Sequence, residues 1–131
     1  MSHEDNLRSP LGAVLGLGSA KQGVKHWWAQ RITAVGLALL GVWFIASLAC
    51  LDTFAYGPVT AWIGTPCNAT LLVLWVAVLA YHSQLGIQVV IEDYVHGALK
   101  TVSIVLSNFL HLVVGTLGVV AVLRIAFGSV A

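Results

Sequence analysis

Three long apolar runs, Ile32 to Leu51, Ala69 to Ile91 and Ser103 to Phe127, contain no Asp, Glu or Lys in their interiors. Each exceeds or meets the length of about 20 residues needed to cross about 30 Å of hydrocarbon at about 1.5 Å per residue. A 131-residue globule cannot hide three helices that are apolar on every face. The runs therefore predict an all-α membrane protein with three transmembrane helices. Charged residues make up 8% of the chain, against about 25% in ordinary soluble domains, which agrees with lipid as its main solvent. A net charge of +1 with no basic stripe or aromatic platform gives nucleic acid nothing to bind.

Lys and Arg set the expected orientation. Arg8, Lys21, Lys25 and Arg31 precede the first span and Lys100 lies in the second connection, whereas no Lys or Arg occurs between Leu51 and Ala69. The positive-inside rule places the N-terminus in the cytoplasm and the C-terminus on the outer, periplasmic side of a cell inner (cytoplasmic) membrane. Arg124 sits near the outer end, where its side chain can snorkel to the interface. Residues 1–22 lack periodicity and are expected to form a cytoplasmic tail, leaving 23–131 as the membrane anchor domain. The first span follows this polar stretch without a small-residue cleavage site, so it does not resemble a secretory signal. Trp27, Trp28, Tyr56 and Trp62 are expected to anchor the interfaces. Gly36, Gly41, Gly86, Gly115 and Gly118 are expected to allow close helix approach. Cys50 and Cys67 are expected to remain free thiols.

The second span is the unusual one. His82, Ser83, Gln84 and Gln88 make its cytoplasmic half polar, and it ends in Glu92-Asp93-Tyr94-Val95-His96. At 100° per residue His82 and Asp93 fall within about 20° of one face, with Gly86 and Val90 close to the line between them. A neutral histidine at that depth has three uses: an interhelical hydrogen bond, a proton relay, or ligation of a metal such as haem iron. Gly86, one turn away, suits a flat macrocycle. Arg31, with Lys25 and His26 before it, forms a cationic cluster that could hold a haem propionate or a quinone head, or could serve only as a topology signal. His111 lies at a depth similar to that of His82, about 12 to 14 Å, so the two rings could bond each other or ligate one haem from a single chain. His3 and His96 fall in tail and connection and are expected to be solvated.

The segment His82-Ser-Gln-Leu-Gly86-Ile-Gln88-Val-Val-Ile-Glu-Asp93-Tyr94-Val95 resembles the signature of the smaller hydrophobic membrane anchors of succinate dehydrogenase, respiratory complex II. Arg31-Ile-Thr33-Ala34 resembles the Arg-x-Thr-Ala opening of that family's first span, so the likeness runs from about Gly23 to the end of the chain. The resemblance implies a subunit that is not catalytic alone. It pairs with a second hydrophobic anchor and docks a flavoprotein carrying FAD and an iron–sulfur protein that carries the clusters. It implies that His82 is an axial ligand of haem b, shared with the companion anchor, and that Tyr94, Asp93 and Arg31 contribute to a ubiquinone site. It assigns haem propionate contacts to Arg31 and to His26, which stands next to the family's histidine position, occupied here by Lys25. His111 is outside the signature and receives no site role. The competing expectations are a fumarate reductase anchor, and a small transport or scaffolding protein in which His82, Asp93 and His111 form a proton path.

Overall fold

With no water in hydrocarbon to satisfy peptide groups, a crossing segment must pair its own N–H and C=O groups, and a helix does so within the segment. The computed structural model of the protein describes residues 21–128, which form four helices. These are α1 (Lys21–Ala49), α2 (Tyr56–Gly64), α3 (Pro66–Tyr94) and α4 (Ala98–Gly128). Helices α1, α3 and α4 are long and apolar enough to cross a membrane, as the three apolar runs predicted. Arg8, His3 and the first twenty residues of the expected tail lie outside the described residues.

Each long helix outruns its apolar core. Helix α1 is already helical at Lys21, the first described residue, well before Ile32, and α3 continues through Glu92 to Tyr94. Loss of hydrophobicity marks where a helix leaves the hydrocarbon, whereas backbone pairing continues until a residue breaks it. At the end of α3 the break comes at Val95, and Gly97 then turns the chain into α4 with φ of +67°, a left-handed conformation costly for other residues. At its start, Pro66 occupies the first turn, where its missing N–H costs nothing.

Helix α2 lies in what the sequence presented as a loop. It has nine residues, too few for a periodic signal, and Pro58 stands in its first turn, where proline is tolerated. Its last turn is closed on the Trp62 carbonyl, which accepts from the Thr65 N–H, the Thr65 hydroxyl and the Asn68 amide at 3.4, 2.9 and 2.8 Å. Trp62 also packs within the fold. Its ring stacks on Trp43 at 6.0 Å between centroids, and Phe44, 6.2 Å from Trp62, stacks on Trp75 at 4.3 Å. This aromatic cluster ties α1, α2 and α3 together at one end of the bundle. Tyr56 is exposed, in keeping with an interfacial role.

Helix α3 is the centre of the fold. Helices α1 and α4 both pack against it and not against each other. The α3–α4 contact is the closer, and glycine makes it so. A Cβ on Gly115 would stand 2.9 Å from the Ala80 Cβ, and one on Gly118 would stand 2.8 Å from a Val76 methyl. Gly36 and Gly86 also face neighbouring helices, at ordinary contact distance, but Gly41 meets nothing within 4 Å and has no packing role among the described residues. Of the described apolar residues only Ala69, Leu72 and Leu85 are buried, while Ile32, Val35, Leu39, Leu106 and Leu117 are more than half exposed. Such a surface suits lipid and partner helices. Cys50 and Cys67 are free and exposed.

Because the α3–α4 contact has no room for a side chain at Gly118, Gly118→Leu should destabilise the bundle by about 1–3 kcal/mol, the usual cost of overpacking. Thermal denaturation in mild detergent measures it, and an unchanged midpoint would show that the helices can separate there freely.

Candidate functional site

On α1, His26, Gln30 and Thr33 follow one another at spacings of four and three residues, which places them on one face. That face meets α3 at His82 and Gly86. The Thr33 hydroxyl lies 2.7 Å from the Ala29 carbonyl, 3.1 Å from the Gln30 carbonyl and 2.9 Å from His82 Nδ1. Gln30 Nε2 lies 3.4 Å from His82 Nε2 and 3.6 Å from where a Gly86 Cβ would be. His82 is half-buried against α1, so the stripe expected on α3 is real along its deeper part. Further along, Val90, Asp93 and Tyr94 have left the shelter of α1 and are exposed, Tyr94 by 80%.

Beside this contact, where the first residues of α1 pass the last turns of α3, lies a cleft of about 590 Å³ lined by Gly23, His26, Trp27, Gln30, Gly86, Gln88, Val89 and Glu92. Two buried atoms there, His26 Nε2 and Gln30 Oε1, have no hydrogen-bond partner. Groups of this kind normally find one, because burying them unpaired costs about 1–3 kcal/mol. Arg31 does not line the cleft. It is exposed on the neighbouring face of α1, its guanidinium 5.4 Å from the centre of the Trp27 ring in a cation–π contact. Trp27 in turn meets Trp28 edge-on at 5.1 Å.

His111 belongs to a different part of the molecule. Its Nδ1 lies 2.7 Å from the Ser107 carbonyl, which only accepts, so Nδ1 carries the proton and Nε2 accepts from the Ser83 hydroxyl at 3.1 Å. Both ring nitrogens are thus used within α3 and α4. Because His82 and Ser83 are successive residues about 100° apart on α3, His82 turns to α1 while Ser83 turns to α4. The expectation that His82 and His111 could bond each other or share one haem is therefore corrected: each ring has its own partners. Gln84, Gln88 and Glu92 of α3 are paired as well. Gln84 donates to Asn108 and Gln88 at 2.7 and 2.9 Å, Gln88 donates to Glu92 at 2.8 Å, and Lys100 reaches the Glu92 carbonyl at 3.1 Å. This ladder is absent from the sequence expectations, as are Gln30 and the direct contact of Thr33 with His82. The alignment of residues 26, 30 and 33 on one face was the signal available for the latter two.

Among the described residues no group of three or more His, Cys, Asp or Glu gathers to hold a metal ion.

Residues 5–124 match the family model described as succinate dehydrogenase/fumarate reductase transmembrane subunit. The chain belongs to that family. It is 30% identical over 122 residues to the succinate dehydrogenase hydrophobic membrane anchor subunit of Paracoccus denitrificans, covering 93% of this chain and 95% of that one. It is 37% identical over 95 residues to the subunit of the same name from Rickettsia conorii, covering 70% and 75%. It is 32% identical over 80 residues to the succinate dehydrogenase membrane anchor subunit of Reclinomonas americana, covering 59% and 67%. No solved structure matches the chain. Membership in a succinate dehydrogenase membrane anchor family explains three helices clad in exposed apolar residues: the protein is multi-pass, and its outer faces meet lipid and the other subunits of a complex.

The pairing of His111 with Ser83 makes a specific prediction for this anchor. Ser83→Ala leaves His111 Nε2 without a donor in the bilayer and should cost about 0.6–2 kcal/mol, measured by unfolding in detergent. The His82 contact with α1 should be unaffected, because the two rings lie on different faces of α3.

Proposed function

We propose that the chain is the smaller membrane anchor subunit of succinate dehydrogenase, that His82 supplies one axial ligand to haem b, and that Tyr94, Asp93 and Arg31 are its contribution to a ubiquinone site. The observation that carries the proposal is His82 itself, oriented through Nδ1 by Thr33, with Nε2 held only by a long contact to Gln30. His111 does not serve the same site, since both of its ring nitrogens are engaged elsewhere. In this proposal the companion anchor subunit would contribute the other protein ligand to the group. The cleft at the end of α1 and α3 fits the group's acidic edge: His26 Nε2, as an N–H, donates to a propionate, and Gln30 carries the other unpaired polar atom.

Haem b, when bound, supplies a one-electron store beside the quinone. The residues of this chain then hold and orient. Positive charge bias places the N-terminus, the α3–α4 connection and therefore Asp93 and Tyr94 on the cytoplasmic side of the inner membrane. There the flavoprotein and iron–sulfur subunits dock, and electrons from succinate leave the iron–sulfur subunit. Ubiquinone takes two electrons and two protons to become the quinol. Tyr94 donates a hydrogen bond to a quinone carbonyl, stabilising the charge that grows on that oxygen, while Asp93 orders the tyrosine or a water that delivers protons. The exposure of Tyr94 and of Arg31 fits side chains that meet ligand and neighbours from other chains. The relatives named above are all succinate dehydrogenase subunits, which favours succinate oxidation over a fumarate reductase anchor. A proton path through His82, Asp93 and His111 is disfavoured because the two histidines sit in separate hydrogen-bond groups.

In the purified complex, His82→Ala should abolish the b-type haem spectrum; retention of that spectrum would remove His82 as a ligand. Tyr94→Phe should lower ubiquinone reduction at least about tenfold, the scale of losing one transition-state donor. Succinate oxidation with an artificial dye should stay near the parent rate, and equal loss of both activities would overturn the quinone role.

A further inference from the structure

We infer that Thr33 is the positioning residue that decides which nitrogen of His82 can bind a metal: its hydroxyl accepts the Nδ1 proton, leaving the lone pair on Nε2. The inference rests on the haem-ligand role proposed for His82 and adds to it the device that sets the tautomer.

A threonine hydroxyl has one proton to give and two lone pairs. Two of the three polar atoms around Thr33 Oγ1 are the carbonyl oxygens of Ala29 and Gln30, at 2.7 and 3.1 Å, and neither can donate. The hydroxyl proton is therefore committed to the backbone of its own helix, most strongly to Ala29. The third atom, His82 Nδ1 at 2.9 Å, faces only lone pairs, and a hydrogen bond forms there only if Nδ1 carries the hydrogen. A neutral imidazole has one N–H, so Nε2 is bare. A separate contact agrees. The neighbour of Nε2 is the Gln30 amide nitrogen at 3.4 Å, a donor that tolerates a lone pair and would clash electrostatically with an N–H. At 3.4 Å this contact is long for a hydrogen bond, so a metal–nitrogen bond readily replaces it.

The arrangement has the logic of an outer-shell ligand, in which a hydrogen bond to the remote N–H fixes ring orientation and raises the basicity of the coordinating nitrogen. Here the acceptor is itself locked. Backbone carbonyls one turn back hold the Thr33 hydroxyl, so it cannot rotate to donate to His82 without losing both of those contacts. Thr33 lies within the Arg31-Ile-Thr33-Ala34 stretch of α1, so the first span orients the ligand that the second span carries.

The test compares Thr33→Val and Thr33→Ser in the intact, purified complex. Valine keeps the shape but offers Nδ1 no acceptor. It should weaken haem retention about 10- to 100-fold, the usual loss for an outer-shell partner. It should also raise the haem midpoint potential, because a less basic imidazole stabilises ferric iron less, and shift the low-spin electron paramagnetic resonance signal. Serine can make the same backbone contact and should restore retention, potential and signal. If valine fails to assemble, pulsed electron paramagnetic resonance of the unmodified, nitrogen-15-histidine complex reads the remote nitrogen directly, and a hydrogen-bonded Nδ1–H is expected. A valine variant with the parent potential and signal, or a remote nitrogen with no hydrogen bond, would overturn the role of Thr33 while His82 still ligates. Haem retained in His82→Ala would instead overturn the ligand assignment beneath it.

Discussion

In hydrocarbon a polar side chain has no water to fall back on, and α3 carries five polar groups from His82 to Glu92, towards its C-terminal end: His82, Ser83, Gln84, Gln88 and Glu92. Their need for partners dictates how the other helices stand. Thr33 and Gln30 bring α1 to His82, His111 and Asn108 bring α4 to Ser83 and Gln84, and Lys100 in the first turn of α4 reaches the Glu92 backbone carbonyl. Each bond is modest, about 0.6–2 kcal/mol net, but the alternative of an unpaired group is worse. Apolar contact alone could not choose these pairings, because leucine meets lipid as readily as it meets another leucine.

The same constraint divides the two membrane histidines by role. They are at similar depth and one residue of helix rotation separates the faces to which they point. His111 spends both nitrogens inside the chain and so acts as glue between α3 and α4. His82 spends one nitrogen firmly and the other weakly. A site is defined less by an ionisable residue in the bilayer than by the capacity its neighbours leave unused. By that measure His82 Nε2, His26 Nε2 and Gln30 Oε1 form one unspent group along the α1–α3 contact. Asp93, Tyr94 and Arg31 stand outside it, on exposed surface.

Much of this was legible in the amino-acid sequence, and for physical reasons. The existence of three spans followed from length and hydrophobicity, since transfer into lipid is a sum over residues and needs no knowledge of neighbours. The register of His82 with Gly86 on one face of α3 followed from the helix, which fixes it locally. The short helix α2 was not legible, because nine residues are too few to show a period and its stability comes from the stacking of Trp62 on Trp43. Nor was the idle status of Gly41 distinguishable from the close packing of Gly115 and Gly118, since every glycine looks the same before its neighbour is known.

The sequence by itself determined what must happen within one helix: that the chain crosses the bilayer, which residues share a face, and which polar groups are too deep to be solvated. Only the tertiary structure decided what happens between helices. It set Thr33 rather than His111 opposite His82, gave His111 to Ser83, and left Arg31 on Trp27 instead of in the cleft. The reason is geometric. Rise and twist per residue are constants of the backbone, whereas the rotation of one helix about its axis relative to another is set by side chains meeting across the contact, and no single segment contains that information.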